Sequence, residues 1–406
     1  MKIIVPNYIL TPEKLLSGMA VAFDKTIKHI APLDELKKLF NDAEIIELEK
    51  NSLLMPGFIN AHVHLEFSAN KTKLSYGDFI NWLYSVIENR ENLILDCNSK
   101  CIKKTIEDML DAGITTLGAI SSHGMDFEAC VNAPQNVIYF NELIGSQASM
   151  ADLLFNNFLL RLNESKTVTR EGFYPAIAIH SPYSVHPILI KKAIEIANSE
   201  NLKLTAHFLE SNAEREWLDN SSGDFKDFFQ KLLKQDSSVT NVDDFLNYFK
   251  NNNTLFTHVV KANEEELSTL KNGGHTIIHC PISNRLLGNG ALNLKKIEEL
   301  GIAWILATDG LSSNYKLDLF EEMKCALFMH SDIPLLDLAK KLILSATKNA
   351  AKALGLNTGE IEIGKNADMI VVDLECEPNE ELAIHLILHR YNISKVYING
   401  TLKKGS

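Results

Sequence analysis

From Phe58 onward, short apolar runs alternate with longer stretches whose apolar residues recur at helical spacing. That pattern belongs to repeated βα units around a parallel sheet. Eight runs read as strands: Phe58–His64, Ile114–Ala119, Val137–Glu142, Ala176–His180, Leu202–His207, Thr254–His258, Thr276–Cys280 and Ala303–Thr308. Between them helices are predicted over Tyr76–Glu88, Cys101–Asp111, Pro187–Asn198, Asp243–Lys250, Asn263–Leu270 and Leu294–Leu300. Beyond Asp309 the spacing predicts two more, Leu317–His330 and Leu335–Leu354, the latter closed by Gly355 as a C-cap. Eight strands over about 250 residues fit a (β/α)8 barrel, whereas a doubly wound open sheet would usually need fewer. The chain ends have a different texture. Strands are predicted at Ile3–Val5, Ala20–Phe23 and Glu44–Leu48 around a helix at Leu33–Phe40, then at Glu360–Ile363, Met369–Asp373 and Lys395–Ile398. These two strand-rich pieces are expected to pair into one small β domain beside the barrel.

Composition alters this picture little. A hydrophobic fraction of 46% and a charged fraction of 23% over 406 residues are ordinary for a globular chain. A mainly disordered, collagen-like or disulfide-scaffold protein is thereby excluded. With 52 acidic against 40 basic side chains the formal charge is -12, which disfavours nucleic acid and anionic membrane as partners. A local basic pocket remains compatible with it. None of the six cysteines forms a C-x-x-C motif, and nothing calls for an oxidising compartment. The start, Met1-Lys2-Ile3-Ile4-Val5-Pro6, shows no export signal, and no run approaches the roughly 18 apolar residues of a membrane span. The expected compartment is the cytoplasm.

Candidate chemistry sits where strands end. His62 and His64 are one residue apart, so strand alternation puts both side chains on one face, where they can share a metal. With 13 histidines such a pair arises about 0.4 times by chance, so alone it is weak. His180, His207, His258 and Asp309 each lie at or just past the end of a different strand, and a barrel gathers those ends on one face. Core filling does not account for five histidines and an aspartate so placed. Imidazole and carboxylate donors suit a divalent ion, zinc first and iron second. Glu210, three residues after His207, is placed to be a proton carrier rather than a ligand. Other catalytic motifs fail: H-E-x-x-H, G-x-S-x-G and the P-loop are absent, Gly288-Asn289-Gly290 lacks a third Rossmann glycine, and Cys280-Pro281 reverses the cytidine-deaminase order.

Met55-Pro56-Gly57-Phe58-Ile59-Asn60-Ala61-His62-Val63-His64, His207-Phe208-Leu209-Glu210, Thr308-Asp309-Gly310 and Gly364-Lys365-Asn366-Ala367-Asp368 resemble the motifs of the amidohydrolase superfamily. The match covers nearly the whole chain. The resemblance implies a metal-dependent hydrolase barrel over residues 56–358, with a composite β-sandwich domain from 1–55 and 359–406. Within the superfamily the pattern is similar to the branch of metal-dependent deaminases and chlorohydrolases, which implies one metal held by His62, His64, His207 and Asp309. Two-metal branches use a lysine on the fourth strand; Ala176-Ile177-Ala178-Ile179-His180 has none. The same resemblance gives catalytic roles to Glu210, Asp309 and His258, and has His180 orient a nucleoside.

Longer strings carry a closer resemblance: His64-Leu65-Glu66-Phe67-Ser68, Phe79-Ile80-Asn81-Trp82-Leu83, His180-Ser181-Pro182-Tyr183-Ser184-Val185, Cys280 to Leu287, and Thr308 to Asn314. They look like a group of these deaminases that converts the adenine of a futalosine-type nucleoside to hypoxanthine on a route to menaquinone. The expected substrate is thus a 6-aminopurine nucleoside, 6-amino-6-deoxyfutalosine first. Glu66 would hold ribose hydroxyls, and Asn314 is a further expected contact. Trp82 would either wall the substrate or fill the core. Arg285 would either meet a substrate carboxylate in bidentate fashion or lie on the surface. Rival readings are deamination of methylthioadenosine, adenosylhomocysteine or adenosine, hydrolysis of a guanine- or triazine-like ring, and a catalytically silent metal-binding barrel. The expected partner is the small nucleoside, without nucleic acid or membrane and with a homodimer left open.

Overall fold

The computed structural model describes residues 1–70, 73–97, 99–389 and 391–405. Eight parallel strands form one sheet in sequence order: β1 (Phe58–Val63), β2 (Ile114–Ser121), β3 (Asn136–Leu143), β4 (Phe173–Ile179), β5 (Leu204–Phe208), β6 (Thr254–His258), β7 (Thr276–His279) and β8 (Ala303–Leu306). Each pairs with the next. The ring closes just past β8, where Asp309 N donates to His62 O at 3.1 Å and the Asn60 amide bonds Thr308 through both its ends. This is the expected barrel, nearly closed, with its last stitches under the cluster of strand-end histidines.

Every residue of β1 and β2 is buried, which explains why they read as unbroken apolar runs rather than alternating ones. Their register shifts between Asn60 and Val63. Gly118 of β2 lies at this irregularity, and a Cβ there would stand 2.1 Å from Ala61 O. Only glycine lets the two backbones approach so closely beside His62, as bulged strands do next to functional sites.

Strands from both chain ends share a six-stranded sheet: Tyr8–Leu10, Leu15–Ser17 and Ser52–Pro56 with Met369–Asp373, Asn392–Ile398 and Thr401–Lys404. A four-stranded sheet holds Lys2–Val5, Ala20–Phe23, Ile27–Ala31 and Glu44–Glu47. Ile4, Val21, Phe23, Leu54, Met369, Val371 and Tyr397 form one buried cluster drawn from both sheets.

Two expectations change. Glu360–Ile363 is not a strand; Gly359 and Gly364, at φ 83° and 90°, bracket a turn tied to Ile27 by backbone bonds. Leu335–Leu354 is two helices, Leu335–Ser345 and Lys348–Leu354, because Ala346 O accepts Ile59 N at 2.8 Å and Thr347 leaves helical geometry. Six α-helices of the described residues lie outside the predicted set: Phe127–Val131, Ala151–Lys166, Asn212–Asn220, Asp224–Leu233, Pro281–Leu286 and Leu382–His389. None of the six cysteines is joined in a disulfide. Among the described residues no helix is long and apolar enough to cross a membrane.

Candidate metal centre

Four side chains predicted from strand ends meet at the carboxyl face of the barrel. One ligand atom each from His62, His64, His207 and Asp309 lies within 4.8 Å of the others. Asp309 Oδ1 stands 3.6 Å from both His62 Nε2 and His64 Nε2, and His64 Nε2 stands 3.3 Å from His207 Nε2. Three of the four are held from behind. His207 donates its Nδ1–H to the backbone oxygen of His180 at 2.7 Å, which leaves the Nε2 lone pair facing the cluster. Asp309 Oδ2 accepts hydroxyls from Ser283 and Ser313, both at 2.7 Å. His62 Nδ1 lies 3.3 Å from the Thr257 hydroxyl.

These donors fit a divalent cation. His62 Nε2 is buried without a hydrogen-bond partner, and nitrogen lone pairs and a carboxylate oxygen converge on one point. Such a grouping is costly unless a cation occupies the centre. Burial, with neighbouring imidazoles adding to it, drops His64 to about 3. Burial likewise takes His207 well below its ordinary value. Imidazoles kept neutral in this way are in the protonation state a metal requires. The donor set is harder than the thiolate sites of structural zinc, and it is not a closed tetrahedral Cys site.

Around the four stand further buried ionisable groups. Glu210 Oε2 is 3.6 Å from His258 Nε2, and Glu210 Oε1 accepts the Asn289 amide at 3.1 Å. Burial raises the Glu210 carboxyl well above its ordinary range, and the charges of Asp309 and Glu214 push the same way. His258 Nδ1 bonds Asn284 Oδ1 at 2.9 Å and burial holds its pKa near about 4. His180, also lowered to about 4 by burial, sits with its ring 5.1 Å from that of His207 and its Nδ1 against Ser184 Oγ at 2.6 Å.

Backbone strain marks the same places. Leu209, His258, Val259 and Asp309 adopt φ of 48°, 74°, 54° and 58°, a region that non-glycine residues enter at some cost and that collects at functional sites. For Leu209 the restraint is visible: the fully buried Glu214 accepts Leu209 N at 2.9 Å and Glu210 N at 2.7 Å, one on each carboxylate oxygen.

The remaining expected contacts fare unevenly. Trp82 is partly buried, 5.4 Å from Phe79, and donates Nε1–H to Ser312 O at 2.8 Å, so it reaches the loop that follows Asp309. Glu66 is not free to hold ribose: both its oxygens accept backbone N–H groups of Ser122, His123 and Met125 at 2.8–3.0 Å, and it is buried. Asn314 is likewise saturated. Its amide donates to Thr308 O and Glu322 Oε1 while its oxygen accepts Tyr315 N and Lys316 N. Arg285 is exposed, lining a shallow cleft with Tyr315, Lys324 and Phe328 rather than joining the cluster. It sits next to Asn284 on the short helix Pro281–Leu286, and that one-residue offset turns it outward while Asn284 faces His258.

Residue-by-residue reading misses Asn284, Asn289, Ser283, Ser313 and Glu214. The first four lie in the segments after β7 and β8, Ser283 and Asn284 on the short helix Pro281–Leu286, and the strings holding Ser283, Asn284 and Ser313 carry their resemblance only as wholes. Glu214 has a local signal: Ser211 before the helix Asn212–Asn220 caps Glu214 N at 3.1 Å.

The sequence profile of the amidohydrolase family matches residues 53–403. Aminodeoxyfutalosine deaminase of a Nitratiruptor species is 50% identical over 402 residues, covering 98% of each chain. Adenosine deaminase of Helicobacter pylori is 37% identical over 95% of each. Among solved structures, Helicobacter pylori aminofutalosine deaminase in complex with methylthio-coformycin superposes with a TM-score of 0.94, at 35% identity, over 99% of this chain and 100% of that one.

Proposed function

The chain belongs to the amidohydrolase family, and from that premise we propose that it is a hydrolytic deaminase converting 6-amino-6-deoxyfutalosine to futalosine and ammonia. The observation that carries the reading is the convergence of His62, His64, His207 and Asp309 beside Glu210 and His258, in a chain 50% identical to an aminodeoxyfutalosine deaminase over almost its full length. Zinc is the ion proposed, and the cytoplasm the compartment. Held by those four residues, the ion would lower the pKa of a water toward about 7 and so supply hydroxide at neutral pH.

The residues then divide the proton work. Deamination at C6 needs a proton on purine N1 as oxygen adds to the ring, and later a proton on the departing nitrogen. Glu210, buried and raised in pKa, is suited to carry the first. Its Oε1 is fixed by Asn289, which leaves Oε2 to face the reacting atoms and His258. His258 hydrogen-bonds the attacking oxygen through Nε2, its ring held by Asn284. Asp309, a proposed ligand, would take the remaining proton and pass it to the departing nitrogen, so that ammonia leaves. His180 orients the nucleoside from the end of β4, and Trp82 walls the mouth.

The test is Glu210→Gln. Removing a positioned acid–base group should cost about 10²–10⁴ in kcat while the protein keeps its metal. A variant that keeps both metal and rate overturns the assignment.

A further inference from the structure

Lys261 follows His258 by three residues, in the loop after β6. Its backbone is pinned on both sides: Lys261 N donates to Leu209 O at 2.9 Å, and Lys261 O accepts the Arg215 guanidinium at 2.9 Å. The side chain is partly buried, yet among the described residues its Nζ has neither an ion-pair partner nor a hydrogen-bond acceptor. Nζ lies beside Gly290, where an added Cβ would stand 3.9 Å away. The neighbouring Asn289 is the residue whose amide holds Glu210 Oε1. The ammonium therefore sits where the loops after β6 and β7 meet, beside Gly290, one residue along the chain from the Asn289 that holds Glu210.

Cations on the segments after β5, β7 and β8 are committed. Arg215 pairs with Glu266 and Asp219, Lys316 with Asp318 and Lys296 with Glu264. Arg285, the sequence's first candidate for an anion, faces the outer cleft. A half-buried ammonium without a counter-charge loses hydration and gains nothing in return; burial accordingly lowers the Lys261 pKa. That cost is removed when an anion arrives with the substrate.

We propose that Lys261 receives an anionic group, a carboxylate, carried by the nucleoside substrate, and so sets preference for carboxylate-bearing over neutral 6-aminopurine nucleosides. The inference rests on the substrate reading above, since 6-amino-6-deoxyfutalosine bears a carboxylate. Kinetics on two nucleosides test it: 6-amino-6-deoxyfutalosine, and methylthioadenosine, which has no carboxylate. Wild type, Lys261→Met and Lys261→Arg would be compared as metal-loaded protein. Methionine keeps an unbranched stem of similar volume and removes the charge. Losing a hydrogen bond to a charged group predicts that Lys261→Met raises KM for the carboxylate substrate about tenfold or more, and lowers the ratio of kcat/KM values by the same factor. Lys261→Arg should retain most of that ratio. If wild type prefers the carboxylate substrate and Lys261→Met prefers it equally, the substrate reading stands and Lys261 is only a snorkelling surface lysine. If wild type shows no preference, the substrate reading fails and the role of Lys261 falls with it.

Discussion

Glu214 touches no ligand atom, yet its removal should slow the reaction. Its two oxygens each accept one backbone N–H, from Leu209 and Glu210, at full burial. Those bonds hold the left-handed turn at Leu209 that presents Glu210. Glu214→Gln replaces one acceptor oxygen by an NH2 group, so one backbone N–H loses its partner and meets another donor. An unsatisfied buried donor together with a lost charge-assisted bond costs about 3 kcal/mol. For 406 residues the unfolding entropy is about 0.85 kcal/mol/K, so Tm should fall by about 3–4 °C. The catalytic effect should be larger than this fold effect suggests, because a displacement of about 1 Å in a reacting group costs on the order of 10²-fold. The assay is ammonia release per metal-loaded site, with metal content and calorimetric Tm measured on the same sample. The expected result is kcat lower by about 10–100-fold with KM and metal content unchanged. A variant with the predicted fall in Tm but wild-type kcat per site would show that Glu214 merely stabilises the fold.

Two further outcomes follow from buried hydrogen bonds elsewhere in the barrel. Because Ser283 and Ser313 both donate to Asp309 Oδ2, replacing both by alanine should weaken metal affinity about 10–100-fold; chelator competition would show it, and unaltered affinity would mean that Asp309 needs no such support. Asp126 is pushed up to about 7 by burial and then by the charge of Glu66, against the opposing bonds from Ser121 and Tyr139. A raised folded-state pKa gives stability that is complete at low pH and is lost as pH rises from about 4 through about 7. The Tm advantage of wild type over Asp126→Asn should therefore shrink between about pH 5 and pH 8, and a gap that stays constant or widens would contradict the proton at Asp126.

Much of this architecture was legible because it follows from strong, short-range rules. The barrel strands are buried on both faces and so read as apolar runs; Thr254–His258 and Met369–Asp373 match their predicted limits. The convergence of His62, His64, His207 and Asp309 was legible because a parallel barrel gathers strand ends regardless of loop detail. Loops are another matter. Glu66 and Asn314 looked available as polar side chains beside motif residues, but unpaired backbone N–H groups in neighbouring loops claim Glu66 and backbone and side-chain groups claim Asn314, and no spacing rule announces those partners. Arg285 failed by one residue of helical phase. The helix Asp224–Leu233 has buried Phe225, Phe228 and Phe229 at helical spacing, so its stripe was present in the sequence, on a segment only about three turns long.

The decisive measurement incubates the zinc-reconstituted protein with 6-amino-6-deoxyfutalosine, adenosine, methylthioadenosine and guanine, following ultraviolet absorbance and ammonia together. Adenine absorbance should be lost with one ammonia released per 6-amino-6-deoxyfutalosine, that nucleoside having the highest kcat/KM, and turnover should cease after chelation of the metal. Release of no ammonia from any of the four by protein with a full metal complement would contradict the deaminase reading.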